Sequence, residues 1–225
     1  MVRANRFETA MPAFLPDLPV ILAFALATIV LAITPGPDMA LQMSRAINYG
    51  RAHGLAAMFG AMAGILVHTM LVAFGISILI IAAPPLFLAL KIAGAVYLLY
   101  LAYQAVFHGG GLRLAEAARK PPTVKQSFMT GIGINLLNPK VVLFFVTFLP
   151  QFVDAHDPGA TGKLIFLGLE FVALSIPLGV VTVLAAERLA ALFRASKWVE
   201  RALNWSFAAI FTAFAATILT AQARH

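Results

Sequence analysis

Long apolar stretches dominate this chain, and the polar positions fall between them in a regular order. The first stretch begins at Leu18 and carries no charge before Asp38. It is interrupted at Thr34-Pro35-Gly36-Pro37. Each proline lacks a backbone donor and crowds the preceding turn, so a regular helix cannot run through them, and Gly36 adds backbone freedom. Helical composition resumes at Met39-Ala40-Leu41-Gln42-Met43, which predicts one helix over about 18–48, broken at Pro35–Pro37. A second helix is predicted over 54–81, a third over 86–107, a fourth over 127–152, a fifth over 162–186 and a sixth over 201–221. The fourth is broken at Asn138-Pro139-Lys140, in a position corresponding to the first break. Segment 187–201 mixes Arg188, Arg194, Lys197 and Trp198 with apolar residues and reads as an interfacial helix.

Composition restricts the class. The chain is 61% hydrophobic and 11% charged, with a mean hydropathy of +0.92; a soluble domain carries roughly 25% charged residues. A spanning helix needs about 20 mainly apolar residues, and the runs are too long and too uniform for barrel strands. The expectation is an all-α integral membrane protein forming a single transport domain over 1–225. Arg3 and Arg6 precede an apolar run as in a signal peptide, but no small-residue cleavage site ends that run, so it reads as a retained first helix. Met11 is an alternative start, since residues 1–10 are polar.

The basic residues set topology. Arg45, Arg51, Arg113, Arg119, Lys120, Lys125, Arg188, Arg194, Lys197 and Arg201 follow the first, third and fifth helices, whereas the opposite side holds Arg3, Arg6, Lys163 and Arg224. The positive-inside rule puts both termini outside the cytoplasm. Residues 108–126 form the longest and most basic loop, a linker between a first repeat (about 18–107) and a second (about 127–221). Three spans per half make the second half enter from the opposite face. Six helices as two inverted repeats follow, with helices 1 and 4 both broken, the arrangement that marks a transporter's binding site. The net charge of +7 is spread over short loops and points to no nucleic acid. There is no cysteine, which excludes disulfides and thiolate metal sites. No cofactor or metal is expected; the partners are a small molecule and the bilayer, and a homodimer is allowed.

Several motifs together resemble the LysE/RhtB family of amino-acid exporters. They are Thr34-Pro35-Gly36-Pro37-Asp38, Gly50-Arg51 with Gly54, and Gly60, Gly64 and His68. Lys91 with Gly94 and Tyr97-Leu98 adds a third-helix match. Asn138-Pro139-Lys140, Phe144-Phe145 and Leu149-Pro150-Gln151-Phe152 add the fourth. The resemblance covers helices 1 to 4 and implies efflux of amino acids or related metabolites across a bacterial inner membrane, driven by the proton gradient. A metal-ion exporter or a membrane enzyme using the buried charges is the alternative. Metal transport wants clustered His, Asp or Cys ligands and an enzyme wants a nucleophile beside a base; neither pattern is visible, so no enzymatic activity is expected.

Ionisable residues inside a membrane are costly and are candidates for function. Asp38 opens a helical piece, where an acid offsets the positive end of the dipole; capping accounts for it as well as substrate binding does. Lys140 follows Asn138 and Pro139, an N-cap and a first helical residue, and a cation there opposes the dipole. An acidic partner, Asp38 first, or an anionic ligand should compensate. The expected substrate or proton site is Asp38, Lys140, Asn138, Pro35, Gly36, Pro37 and Pro139. The helix end at Asn138 is expected to offer free N–H groups to a carboxylate, and Asp38 to hold an ammonium. His68, Lys91, Glu170, Gly60 and Gly64 are supporting residues. For His68 a packed interhelical bond is the leading reading, and the similar depths of Lys91 and Glu170 suggest a salt bridge.

Overall fold

The computed structural model describes residues 14–82, 120–154 and 157–222; between 83 and 119 it describes only 89, 92, 93, 95, 96, 99, 100, 102, 103, 106, 107, 114 and 117. Among the described residues there is no strand. The helices are α1 (Leu18–Ile33), α2 (Pro37–Tyr49), α3 (Arg51–Ala82), α4 (Val124–Leu137), α5 (Pro139–Leu143), α6 (Ala160–Leu184), α7 (Ala186–Ala195) and α8 (Lys197–Gln222). The described positions from 89 to 107 are helical as well, where the third apolar run predicts a helix. Lys91, Gly94, Tyr97 and Leu98 lie outside the described residues, and so does most of the basic linker.

Both breaks fall where prolines interrupt the apolar runs. At the first, Thr34 leaves the helix in an extended conformation while its hydroxyl and its N–H both turn back to the Val30 carbonyl. Pro35 disfavours a helical Thr34, and Pro37 supplies a preset φ for the start of α2. The two pieces are bent by 51°. At the second break α4 ends at Leu137, Asn138 is extended, and Pro139 opens α5; this bend is 53°. Each bent pair fits one span, and Arg51–Gly75 and Ala160–Leu184 are each long and apolar enough to cross a membrane. The described residues therefore hold two to four spans by length and composition.

The predicted fourth helix does not stay α-helical to Phe152. It passes at Phe144–Phe148 into a π-helical turn and then tightens to a 3-10 turn at Leu149–Phe152. Pro150 has no N–H to give back to the preceding turn. Thr147 Oγ1 donates to Leu143 O, and Gln151 Nε2 to Thr147 O, which tie down loosened carbonyls. The widened turn lets Phe144, Phe145 and Phe148 all enter the core; Phe144 and Phe145 meet Phe24 and Phe171 at centroid separations of 5.3 to 5.8 Å, and Phe148 packs on Phe144 at 4.8 Å. The interfacial segment also differs from expectation. It is α7, with Ala186 and Ala190 buried one turn apart while Glu187 and Arg188 are exposed, and α8 begins already at Lys197.

Helices α3 and α4 are in backbone contact. A Cβ on Gly60 would lie 2.0 Å from Phe128 O, and one on Gly131 would lie 2.1 Å from Ala57 O. No side chain fits either position, so the GxxxG pair of α3 meets a glycine of α4, as in close helix packing in lipid. Gly64 completes the seam: a Cβ there would lie 2.6 Å from Asn135 Oδ1. A capping box of Thr123 and Gln126 starts α4. His53 Nδ1 and Ser127 Oγ, 3.1 Å apart, fasten the same end of the pair. Leu22, Leu26, Leu71, Phe74, Val181 and Leu184 are exposed on the outer faces, as lipid-facing side chains would be.

Candidate functional site

The close α3–α4 seam places the second break against the first, and the two exchange bonds. Lys140 Nζ donates to Leu31 O and to Thr34 O, each at 2.8 Å. These carbonyls belong to the C-terminal end of α1, where the last carbonyls of a helix lack intrahelical partners. A cation is favourable there. The charge that opposes the dipole of its own helix is thus compensated by the opposite pole of another helix. The sequence points instead to an ion pair or a bound anion for this role. Asp38, in the first turn of α2, is tied in the reverse direction: its Oδ2 accepts from Asn135 Nδ2 and Asn138 Nδ2, each at 3.0 Å.

Asn138 serves both sides of its own break. Its Oδ1 accepts from Lys140 N at 3.1 Å, while its main-chain carbonyl accepts from Val141 N and Val142 N at 3.0 and 2.9 Å. Pro139 has no N–H. The first turn of α5 therefore has no N–H left for a ligand, which corrects the expectation of a carboxylate seat built on those groups. One layer out, His68 Nε2 lies 3.4 Å from Asn135 O, so Nε2 carries the proton in this bond. Its ring stacks on Phe145 at 5.8 Å.

Between the breaks lies a cavity of about 70 Å³. Gly36, Asp38, Gln42, Asn135, Asn138, Lys140, Ser175 and Thr182 line it, with Met39, Met62, Ile65 and Phe171 as apolar wall. The Lys140 stem passes Gly36 at van der Waals distance, 3.7 Å from where a Cβ would lie. Three atoms of lining residues are buried without a hydrogen-bond partner among the described residues: Asp38 Oδ1, Asn135 Oδ1 and Ser175 Oγ. All can accept a hydrogen bond. An unpaired buried polar atom costs about 1–3 kcal/mol, so their gathering at one cavity is a feature of a site waiting for donors.

Of the expected site residues, Gly36, Asp38, Asn138 and Lys140 line this cavity. Pro35, Pro37 and Pro139 do not. Pro37 and Pro139 line an outer groove of about 380 Å³ with Thr130, Gly133, Ile134 and Leu137, and Pro35 is buried at the bend. Gly64 and His68 stand behind the site against Asn135, and Gly60 packs against Phe128 and Gly131. Glu170 is apart from it, with Oε2 buried and without a partner among the described residues. Asn135, Gln42 and Ser175 were missed in the sequence. Each left a faint signal: Asn135 precedes Asn138 by three positions in an apolar run, Gln42 follows Asp38 by four on one helical face, and Ser175 lies just before Pro177.

Known proteins similar to this chain point to one family. The profile of the LysE type translocators matches residues 29–222. An uncharacterized membrane protein of Pseudomonas aeruginosa is 32% identical over 210 residues, covering 88% of this chain and 94% of the relative. The homoserine/homoserine lactone efflux protein of Salmonella typhimurium is 30% identical over 203 residues, covering 90% and 96%. An uncharacterized membrane protein of Vibrio cholerae is 30% identical over 213 residues, covering 92% and 100%. No solved structure matches the chain. The chain belongs to the LysE type translocator family, and it is a membrane protein.

Proposed function

As the chain is a LysE type translocator, we propose that it is a secondary exporter of small amino acids or their derivatives, coupled to the proton gradient, with the cavity between the two broken helices as its binding site. The observation that carries this reading is the reciprocal brace. Each half of the chain places one charged residue at its break, Asp38 in the first and Lys140 in the second, and each is bonded to the break of the other half. The near-equal bends of 51° and 53° support an origin of the two halves as one repeated unit. In this reading six spans form two inverted three-helix repeats in a bacterial inner membrane. Both termini lie outside the cytoplasm, because the basic loops follow the odd-numbered spans.

The cargo places its ammonium against Asp38, which also exchanges the coupling proton. Its carboxylate turns towards the charge of Lys140, which acts through its field because carbonyl oxygens take its hydrogen bonds. Homoserine is the first cargo to try, given the name of the Salmonella typhimurium relative. The test is growth of cells lacking their own exporters, with and without this protein, against toxic levels of individual amino acids, homoserine and dipeptides. Protection against at least one small amino acid is expected. Equal growth inhibition across the whole series would overturn the exporter reading.

A further inference from the structure

We infer that the cavity selects its cargo by an unsubstituted primary ammonium group and leaves the carboxylate optional, with Ser175 as a specificity-determining residue. What the bound molecule is rests on the exporter reading above; its chemistry rests on the hydrogen bonds at the site. The donors at the two breaks are committed. The Nδ2 groups of Asn135 and Asn138 both serve Asp38 Oδ2. The N–H groups of Lys140, Val141 and Val142 serve Asn138. Lys140 Nζ serves the end of α1. What remains buried and unpartnered at the cavity is two pure acceptors, Asp38 Oδ1 and, beside Gly64, Asn135 Oδ1, and one hydroxyl, Ser175 Oγ, which can accept as well as donate.

Ser175 and Thr28 both have buried hydroxyls without a hydrogen-bond partner among the described residues, and of the two only Ser175 lines the cavity. Thr69, Thr130, Thr147 and Thr182 each donate to the carbonyl four residues earlier, the usual resting place of a helical hydroxyl. Ser175 makes no such bond, although it is 5% exposed and lines the cavity. It stands on α6 and lines the same cavity as Asp38 of α2, so a group held between the two touches both elements at once. A primary ammonium brings three N–H donors and a positive charge to Asp38. Each N-alkyl group removes one donor, and N-acylation removes the charge as well. A carboxylate brings only acceptors to a site already rich in them. Amides, esters and lactones of amino acids therefore belong to the accepted class, and N-blocked amino acids do not.

The test uses the purified full-length protein and reads its melting temperature with ethylammonium, tetramethylammonium or propionate at equal ionic strength. A saturable rise with ethylammonium is expected, without one from tetramethylammonium or propionate. Ser175→Ala should raise the half-saturating ethylammonium concentration about fivefold, the worth of one hydrogen bond, and Ser175→Thr should restore it. Equal shifts with tetramethylammonium, a larger shift with propionate, no shift with any probe, or Ser175→Ala indistinguishable from wild type would each overturn the inference. Amino-acid protection of cells is scored separately. Protection without ammonium selectivity sinks the inference alone, and ammonium selectivity without protection sinks the exporter reading alone.

Discussion

Lys140 shows how position alone can mislead about a charge. In the first turn of a helix it opposes the local dipole, and by that argument it demands an anion. Its stem instead carries the ammonium across to the open carbonyls of α1, where the dipole has the other sign. A guanidinium is a planar fork and not a point donor, so Lys140→Arg should give at most weak export, measured as efflux at matched protein level. Glycine positions give a sharper stability test. Gly60→Ala drives a methyl against the Phe128 carbonyl and should cost about 1–3 kcal/mol as overpacking, seen as a lower melting temperature. Gly75→Ala has nothing within 4 Å of its new methyl and should match wild type. Glu170 keeps the earlier expectation of pairing with Lys91. If they pair, Lys91→Ala should be more damaging than the double change with Glu170→Ala, since one stranded buried charge costs about 3–5 kcal/mol. Additive losses would exclude the pair.

At the scale of elements, the breaks were legible because Pro and Gly in an apolar run leave few conformations open, and the observed bends sit on those residues. The GxxxG seam was legible as a close-packing face, but its partner on α4 was not, because Gly131 and Asn135 have no spacing that names Gly60 and Gly64. The π-helical turn at Phe144–Phe148 was illegible; it comes from aromatic side chains competing for one core, which only tertiary packing decides. The crossed bonds of Lys140 were illegible for a different reason: their acceptors are main-chain carbonyls, and no side-chain pattern records them. The turn before α6 carries a separate electrostatic signature. Asp157 accepts from Lys163 Nζ and from Gly159 N, and these bonds hold its carboxyl below the ordinary range. A depressed carboxyl stabilises above its unfolded pKa of about 3.9 and stops doing so as pH falls through the lower folded value. Asp157→Asn should therefore lower the melting temperature at pH 7, and the difference from wild type should shrink steadily below about pH 4.

At the scale of the whole molecule, two broken helices that carry opposite charges and bind each other's ends form a closed polar unit inside an apolar shell. Such a unit suits alternating access, because opening one side separates Asp38 from the asparagines of the second half and Lys140 from the carbonyls of the first. The inverted arrangement requires an odd number of spans per half. Reporter fusions at Gly110 and near Ser196 should read cytoplasmic, and fusions after Arg224 external; a cytoplasmic C-terminus would contradict it.

The central claim is that Asp38 and Lys140 form the transport site and do more than anchor the bends. It is tested most directly by efflux of preloaded labelled homoserine, and of whichever amino acid the growth screen identifies, from cells with matched amounts of membrane-inserted protein. Asp38→Asn and Lys140→Ala are each predicted to reduce export to the level of cells without the protein, with insertion unchanged. Wild-type efflux from either variant would mean that these charges only brace the broken helices and that the cargo passes elsewhere.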